Sequence, residues 1–452
     1  MSEVRIKEVA PIRNMGIWLI WAIGVGSVVG DGVFLLIGDG ISKAGPSSLI
    51  VYFVAGIVQA ATMIGLGELA VGIPSGGAQS VWVEKFMGRG LGLLSGLAGA
   101  AGWLVLMGAL SLALGTFTCW YFPSLNQDVW TILFALIFLT LLTLLNIAGA
   151  AVAAKTQLGL VLVLVSIMVL FGVLGLKHID PSNYTPFMPF GVDGALAAFP
   201  SGIYVYMGAV ALCTAGSECR KSTDLGKGLV LSSATFIIIY TIGMAVVIGT
   251  VSHDAISMDV SPYTVAAEII FGYWGGFVLN TAAWIATATS LLMGVIYVPS
   301  RMFYQMGKTG YLPAFFGELN EKTRTPVKGL VFGWAVGVVT ILIGIFNVDF
   351  VYVFLTSQAT IMWIVSWCLA LIAAFYYRKD MKIKGLDVKK TIGWKQPLFP
   401  ICPIIGLFGC GYTLYLSITG SIGQFLASFI WIFAYIIYYH FYVKKKNLPA
   451  LE

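Results

Sequence analysis

Charge is scarce in this 452-residue chain, with only 10% of residues Asp, Glu, Lys or Arg, against about 25% in a soluble domain. So few charges cannot clothe a water-facing surface, and a soluble globular fold is excluded. Histidine is scarcer still: His178 and His253 fall between apolar runs, and His440 lies at the inner end of the last one. No serine elbow, phosphate-binding loop or acid/base cluster accompanies them, so the chain does not read as an enzyme. Cysteines 119, 213, 219, 368, 402 and 410 lie in or at the ends of apolar runs, without metal-ligand spacing. They read as small core hydrophobes, and neither a cofactor nor a structural metal is expected. A long polar stretch is also missing. The longest, RKDMKIKGLDVKKTIGWKQ at 378–396, is too short for a water-soluble domain.

What remains is apolar. Hydrophobic residues make up 59% of the chain, in recurring runs of about 20 residues that each suffice to cross a hydrocarbon core. Twelve spans are expected, at 15–38, 46–68, 90–120, 128–148, 155–176, 196–219, 229–252, 274–300, 328–347, 350–376, 397–417 and 421–443. The chain therefore reads as an all-α polytopic membrane protein with the lipid bilayer as its surroundings. Its first span follows a tail carrying Arg5, Lys7 and Arg13 without a small-residue cleavage site, and reads as retained rather than as a signal peptide. With the N-terminus in the cytoplasm, every Lys and Arg except Lys43 and Lys177 falls on the inner side. That imbalance places both termini in the cytoplasm, by the positive-inside rule. Topology accounts for the net charge of +6, and no nucleic-acid partner is expected. The lysines of the 378–396 loop suit an anionic inner leaflet. The glycine-rich run GRGLGLLSGLAGAAGW at 88–103 suits close helix packing.

Two spans are poor helix formers. The first carries Gly24, Gly26, Gly30 and Gly32, and the sixth reads PSGIYVYMGAVALCTAGSE at 200–218, with Gly208 in its middle. Paired interruptions in the first helix of each of two repeats point to a binding site. Unpaired backbone groups at that depth persist only beside a cavity, a ligand or an ion. The alternative is that the glycines serve helix packing.

Three motifs, GDGVFLLIGDGISKAGPSS (30–48), GELAVGIPSGGAQSVWVEKFMG (67–88) and PSRMFYQMGKTGYLP (299–313), resemble signatures of the amino acid–polyamine–organocation permeases. The resemblance covers at least residues 14–345, with the motifs in the family's order and spacing. It implies a leucine-transporter-type fold of five-plus-five inverted repeats, 15–176 and 196–376, with discontinuous helices 1 and 6. Two extra spans at 397–443 would follow the basic loop 377–396, flanked by cytoplasmic tails 1–14 and 444–452. It further implies that Gly30, Asp31 and Gly32 form a turn for the substrate carboxylate, that the Val28 carbonyl accepts the substrate ammonium, and that Tyr206, Met207, Gly208 and Ala209 form the matching break. Tyr204 falls where relatives place an aromatic gate; a core tyrosine is the alternative.

Asp31 departs from the family pattern, where a small residue such as serine is usual. It reads as the N-cap of the half-helix after it, as a carboxyl that loads and releases a proton, or as the selector of a cationic substrate lacking a carboxylate. Some proton-coupled relatives carry an amine on span five, but here Lys155 lies only at its inner edge, with nothing ionisable following it. In span eight, Ala286, Thr289 and Ser290 are similar to a sodium site that the carbonyls of Gly26 and Val29 would complete; chance or packing is the alternative. Glu68, Glu84 and Glu218 at inner span ends suit pairing with Arg or Lys. The resulting expectation is a secondary transporter for an amino acid in the plasma membrane, driven by H+ or Na+ or by exchange. A polyamine or other cationic amine is the second substrate class. A channel or a transporter-like sensor would need conductance or a signalling domain.

Overall fold

The structure is a computed structural model and describes residues 10–255, 261–344, 348–420 and 422–445. Arg5 and Lys7 of the expected N-terminal tail, and residues 446–452 of the expected C-terminal tail, lie outside the described residues. Ten segments are long and apolar enough to cross a bilayer, and the described residues form no strand beyond an isolated bridge between Met15 and Cys219. The protein is an all-α multi-pass membrane protein. The first of the ten segments, Ile17–Gly72, contains the expected spans 15–38 and 46–68, while a shorter apolar helix, Val327–Ile343, occupies the ninth.

The first expected span consists of two helices, α1 (Ile17–Val28) and α2 (Asp31–Ala44). The second divides into α3 (Ser48–Gly65) and α4 (Gly67–Gly72). A short helix α5 (Gln79–Met87) then leads into the 31-residue α6 (Arg89–Cys119). α7 (Gln127–Ala148) starts where the Asn126 side chain accepts the Val129 N–H, and α8 (Ala150–Gly175) follows it. The sixth expected span is α9 (Gly191–Val205), continued after an interruption by a 3₁₀ run over Ala209–Ser217. Then come α10 (Thr223–Thr250), the short α11 (Pro262–Phe271) and α12 (Tyr273–Thr289). A π-helical stretch over Ser290–Ile296 joins α12 to α13 (Tyr297–Lys308). The remaining helices are α14 (Val327–Ile343), α15 (Val348–Ile383), α16 (Val388–Ile392), α17 (Ile401–Gly420) and α18 (Ile422–Tyr438).

α15 runs past its expected end at 376 into the basic loop. The Asp380–Lys384 ion pair, one turn apart at 2.8 Å, supports that extension. Asp387 caps α16 by accepting the Lys390 N–H, and the left-handed Gly393 ends it. The loop is thus partly helical, which lysine density alone did not indicate.

α6 is the core of the bundle, packed between α5, α7, α14 and α15. Its small residues permit the approach: a Cβ on Gly102 would meet the Trp363 ring at 2.6 Å. The interrupted helices lie beside this scaffold, α1 against α8, α10 and the 3₁₀ run, and α2 against α9. Glu68 on α4 is buried and takes both the Nε and the Nη2 of Arg378 on α15. It also accepts the Gln396 N–H at 2.8 Å, while the Arg378 guanidinium lies 4.4 Å over the Phe399 ring. One carboxylate therefore ties α4, α15 and the approach to α17 together.

Candidate functional site

The interruption between α1 and α2 is two residues long. Val29 still donates its N–H to Val25 O at 2.8 Å, but Gly30 is extended and α2 restarts at Asp31. Gly30 holds the N-cap position and Asp31 is the first helical residue, a shift of one from the capping role considered for Asp31. In the sixth span, Pro200 removes one backbone donor inside α9, the helix ends at Val205, and Gly208 turns the chain at φ 138°. The following 3₁₀ run spans nine residues, longer than the three or four usual for that geometry.

The two interruptions touch. A Cβ on Gly208 would collide with the carbonyl of Ser27 and lie 3.1 Å from Val28 N. Around this contact is a small, partly open cavity of about 20 Å³, room for about one water. Val28, Gly30, Asp31 and Gly32 line it from the first break, Tyr204 and Met207 from the second, and Ser290 from the π-helical stretch. Asp31 is 3% exposed; its carboxylate accepts the Tyr352 hydroxyl and faces the N–H groups of Asp31 and Gly32. The Tyr204 ring covers Gly32, 3.2 Å from where a Cβ would stand. The Val28 carbonyl accepts the Tyr240 hydroxyl at 3.1 Å, which leaves its second lone pair for a ligand.

Other candidates fall elsewhere. Tyr206 turns away, its ring 5.0 Å from Tyr240 and 5.5 Å from Phe236. Ala209 is buried at the start of the 3₁₀ run. Gly26 faces α8, where a Cβ would strike the Gln157 side chain, and Val29 is fully buried in the break. Thr289 donates to the Ala286 carbonyl on its own helix at 2.8 Å, whereas Ser290 reaches the Ser27 carbonyl at 3.4 Å. Of the five groups considered for sodium, Ser290 is the one lining the cavity. Lys155 is exposed, and Gln157 on α8 reaches α1 at the Ala22 carbonyl.

Several lining residues were invisible in the sequence. Trp103, Leu106 and Leu110 come from α6, Val295 from the π-helical stretch and Trp363 from α15. Their spacing is ordinary helix-core spacing, so nothing marked them. The π-helical stretch is equally silent, and Asn146 on α7 is its support: fully buried, it donates to Leu292 O at 2.9 Å. Asn146→Leu orphans that carbonyl, at an expected cost of about 1–3 kcal/mol. A thermal melt should read that loss as a lowered midpoint.

A buried ion pair lies at the far end of the 3₁₀ run. Glu218, after the 3₁₀ run, meets Arg301 of α13 at 3.2 Å and also accepts the Tyr297 hydroxyl. The Arg301 guanidinium lies 3.8 Å over the Tyr297 ring. The backbone N–H groups of Asn14 and Met15 both donate to Glu218 O at 3.0 Å. A Cβ on Gly216 would meet Ser75 N at 2.6 Å, so the turn before α5 closes on the same point.

A match to the family described as amino acid permease spans residues 15–441. The chain is similar to the amino-acid permease RocC of Bacillus subtilis, 24% identical over 97% of both chains. It is 26% identical to a putative histidine permease of the same organism, over 100% of this chain and 96% of that one. A methylthioribose transporter, also of B. subtilis, is 23% identical over 99% of this chain and 96% of its own.

Proposed function

The chain belongs to the amino acid permease family, and we propose on that premise that it is a secondary transporter carrying an amino acid, or an amine derived from one, by alternating access. The observation that carries this reading is the contact between the two helix breaks at Gly208 and Ser27, beside a cavity lined from both. Free peptide groups at that depth suit a polar passenger. The cavity holds about 20 Å³, so a solute enters only when the walls part. The buried Glu218–Arg301 pair is the contact that would open on the inner side.

In this reading the membrane is the plasma membrane, both termini are cytoplasmic, and the chain crosses twelve times. The helices within 15–176 and 196–376 form the two inverted repeats, and α17 and α18 flank them. The bias of basic residues supports the orientation. Among the described residues, Asp31 is the sole ionisable carboxyl lining the cavity, which favours it as the proton carrier if a proton drives uptake. Sodium would instead use Ser290 and Thr289 with the carbonyls of Gly26, Val29 and Ala286.

Counterflow in proteoliposomes tests the whole reading. Liposomes preloaded with the right solute should accumulate its labelled form, saturably and without conductance. Accumulation should follow either an imposed pH gradient or a sodium gradient, and the first is expected. Conductance without saturable counterflow would make the protein a channel and end the proposal.

A further inference from the structure

The cavity's polar groups narrow the solute beyond its being amine-bearing, provided that the transport reading holds. A solute carboxylate would be drawn to the N-terminus of α2, where free N–H groups and the helix dipole favour an anion. Asp31 already puts the protein's own carboxylate there, 3% exposed and lining the cavity. No Lys, Arg or His is among the described residues that line it. A second carboxylate would therefore stand beside the first with no cation to share.

An ammonium meets the opposite situation. It has three N–H donors, and residues bearing acceptor oxygens line the cavity, Asp31, Val28, Ser27, Ser290 and Tyr204 among them. Ser27 Oγ is buried without a hydrogen-bond partner, a state that polar groups rarely keep. Among the described contacts Asp31 has only neutral donors, so a cation arriving beside it would be the partner that favours its ionised form. Besides Ser290, Tyr204 and the Trp363 N–H, which is buried without a partner, the wall is mainly apolar: the rings of Trp103 and Trp363, 4.5 Å apart, with Leu106, Leu110 and Val295. No second acidic residue lines it to receive the far end of a diamine.

We propose that the preferred solute is a primary monoamine with an apolar aromatic or branched aliphatic body and no carboxylate. Its ammonium sits on Asp31, Val28 O and Ser27 Oγ, displacing the Tyr352 hydroxyl from Asp31, and its body lies against Trp103 and Trp363. The solute thus resembles a decarboxylated apolar amino acid. Tyr204 must swing off Gly32 to admit it.

Calorimetric titration of the purified full chain tests this with 2-phenylethylamine, 3-methylbutylamine, L-phenylalanine, L-leucine and putrescine as probes. Each monoamine should bind at least about tenfold more tightly than its parent amino acid and than putrescine, a margin well resolved by affinity measurement. Asp31→Asn should lose that margin. Asp31→Ser should go further and favour L-phenylalanine over 2-phenylethylamine, because it vacates the anion seat; a misfolded variant cannot gain an affinity. Equal or tighter binding of the amino acids by the native chain overturns the inference and leaves the transport reading standing. Tightest binding of putrescine overturns it likewise. If none of the five binds and no solute shows counterflow, both fall; counterflow of some other solute removes this inference alone.

Discussion

Gly208→Ala should abolish transport in a protein that still inserts and folds. The residue sits at φ 138°, a conformation open to glycine and strained for any L side chain. The added Cβ would overlap the Ser27 carbonyl, and it would stand 2.7 Å from Ser27 C and 3.1 Å from Val28 N. All three neighbours are backbone, so no rotamer change relieves the clash. Strained backbone of this kind costs about 1–3 kcal/mol, and forcing the breaks apart adds to it. Counterflow should fall by about 100-fold if some 2.7 kcal/mol is lost from the working geometry. Gly159→Ala is the control: nothing lies within 4 Å of its Cβ, and uptake should be unchanged. Wild-type counterflow by Gly208→Ala would mean that the contact between the breaks is incidental.

Breaking the buried ion pair should have the second largest effect, on stability and on access together. Arg301 and Glu218 are 2% and 4% exposed at their side chains. Removing one partner from such a pair strands the other charge, at a cost of about 3–5 kcal/mol. Arg301→Met and Glu218→Gln should each lower the melting temperature sharply, and the double variant should recover most of the loss, since neither charge is left buried alone. Access gives an independent readout. Cys219, buried beside Met15, should label with a membrane-impermeant maleimide in Arg301→Met when the other cysteines are replaced. A double variant no more stable than the worse single one would mean that the pair acts chiefly through Tyr297, whose hydroxyl Glu218 also receives.

The sequence exposed the parts of this molecule that composition controls. Apolar runs marked the spans, and glycine clusters marked the breaks around Gly30 and Gly208. It missed local details of the helix ends. Gly30 rather than Asp31 holds the N-cap position of α2, and the helix of the tenth span continues to Ile383, beside the Asp380–Lys384 pair. It was silent about Trp103, Trp363 and Tyr352, which converge on Asp31 from helices far apart in the chain. A tryptophan or tyrosine facing a neighbouring helix has the same periodicity whether it lines a cavity or fills a core. Tyr206 and Tyr204 both came from the family resemblance: the ring of Tyr206 joins the packing around Phe236 and Tyr240, whereas Tyr204 lines the cavity.

The tightness of the empty site bears on the voltage across the membrane. With space for about one water between the breaks, and Glu218 locked to Arg301 on one flank, liposomes carrying the protein are expected to hold an imposed potential when no solute is supplied. A cell could then hold many copies without draining the battery that its other membrane machines run on.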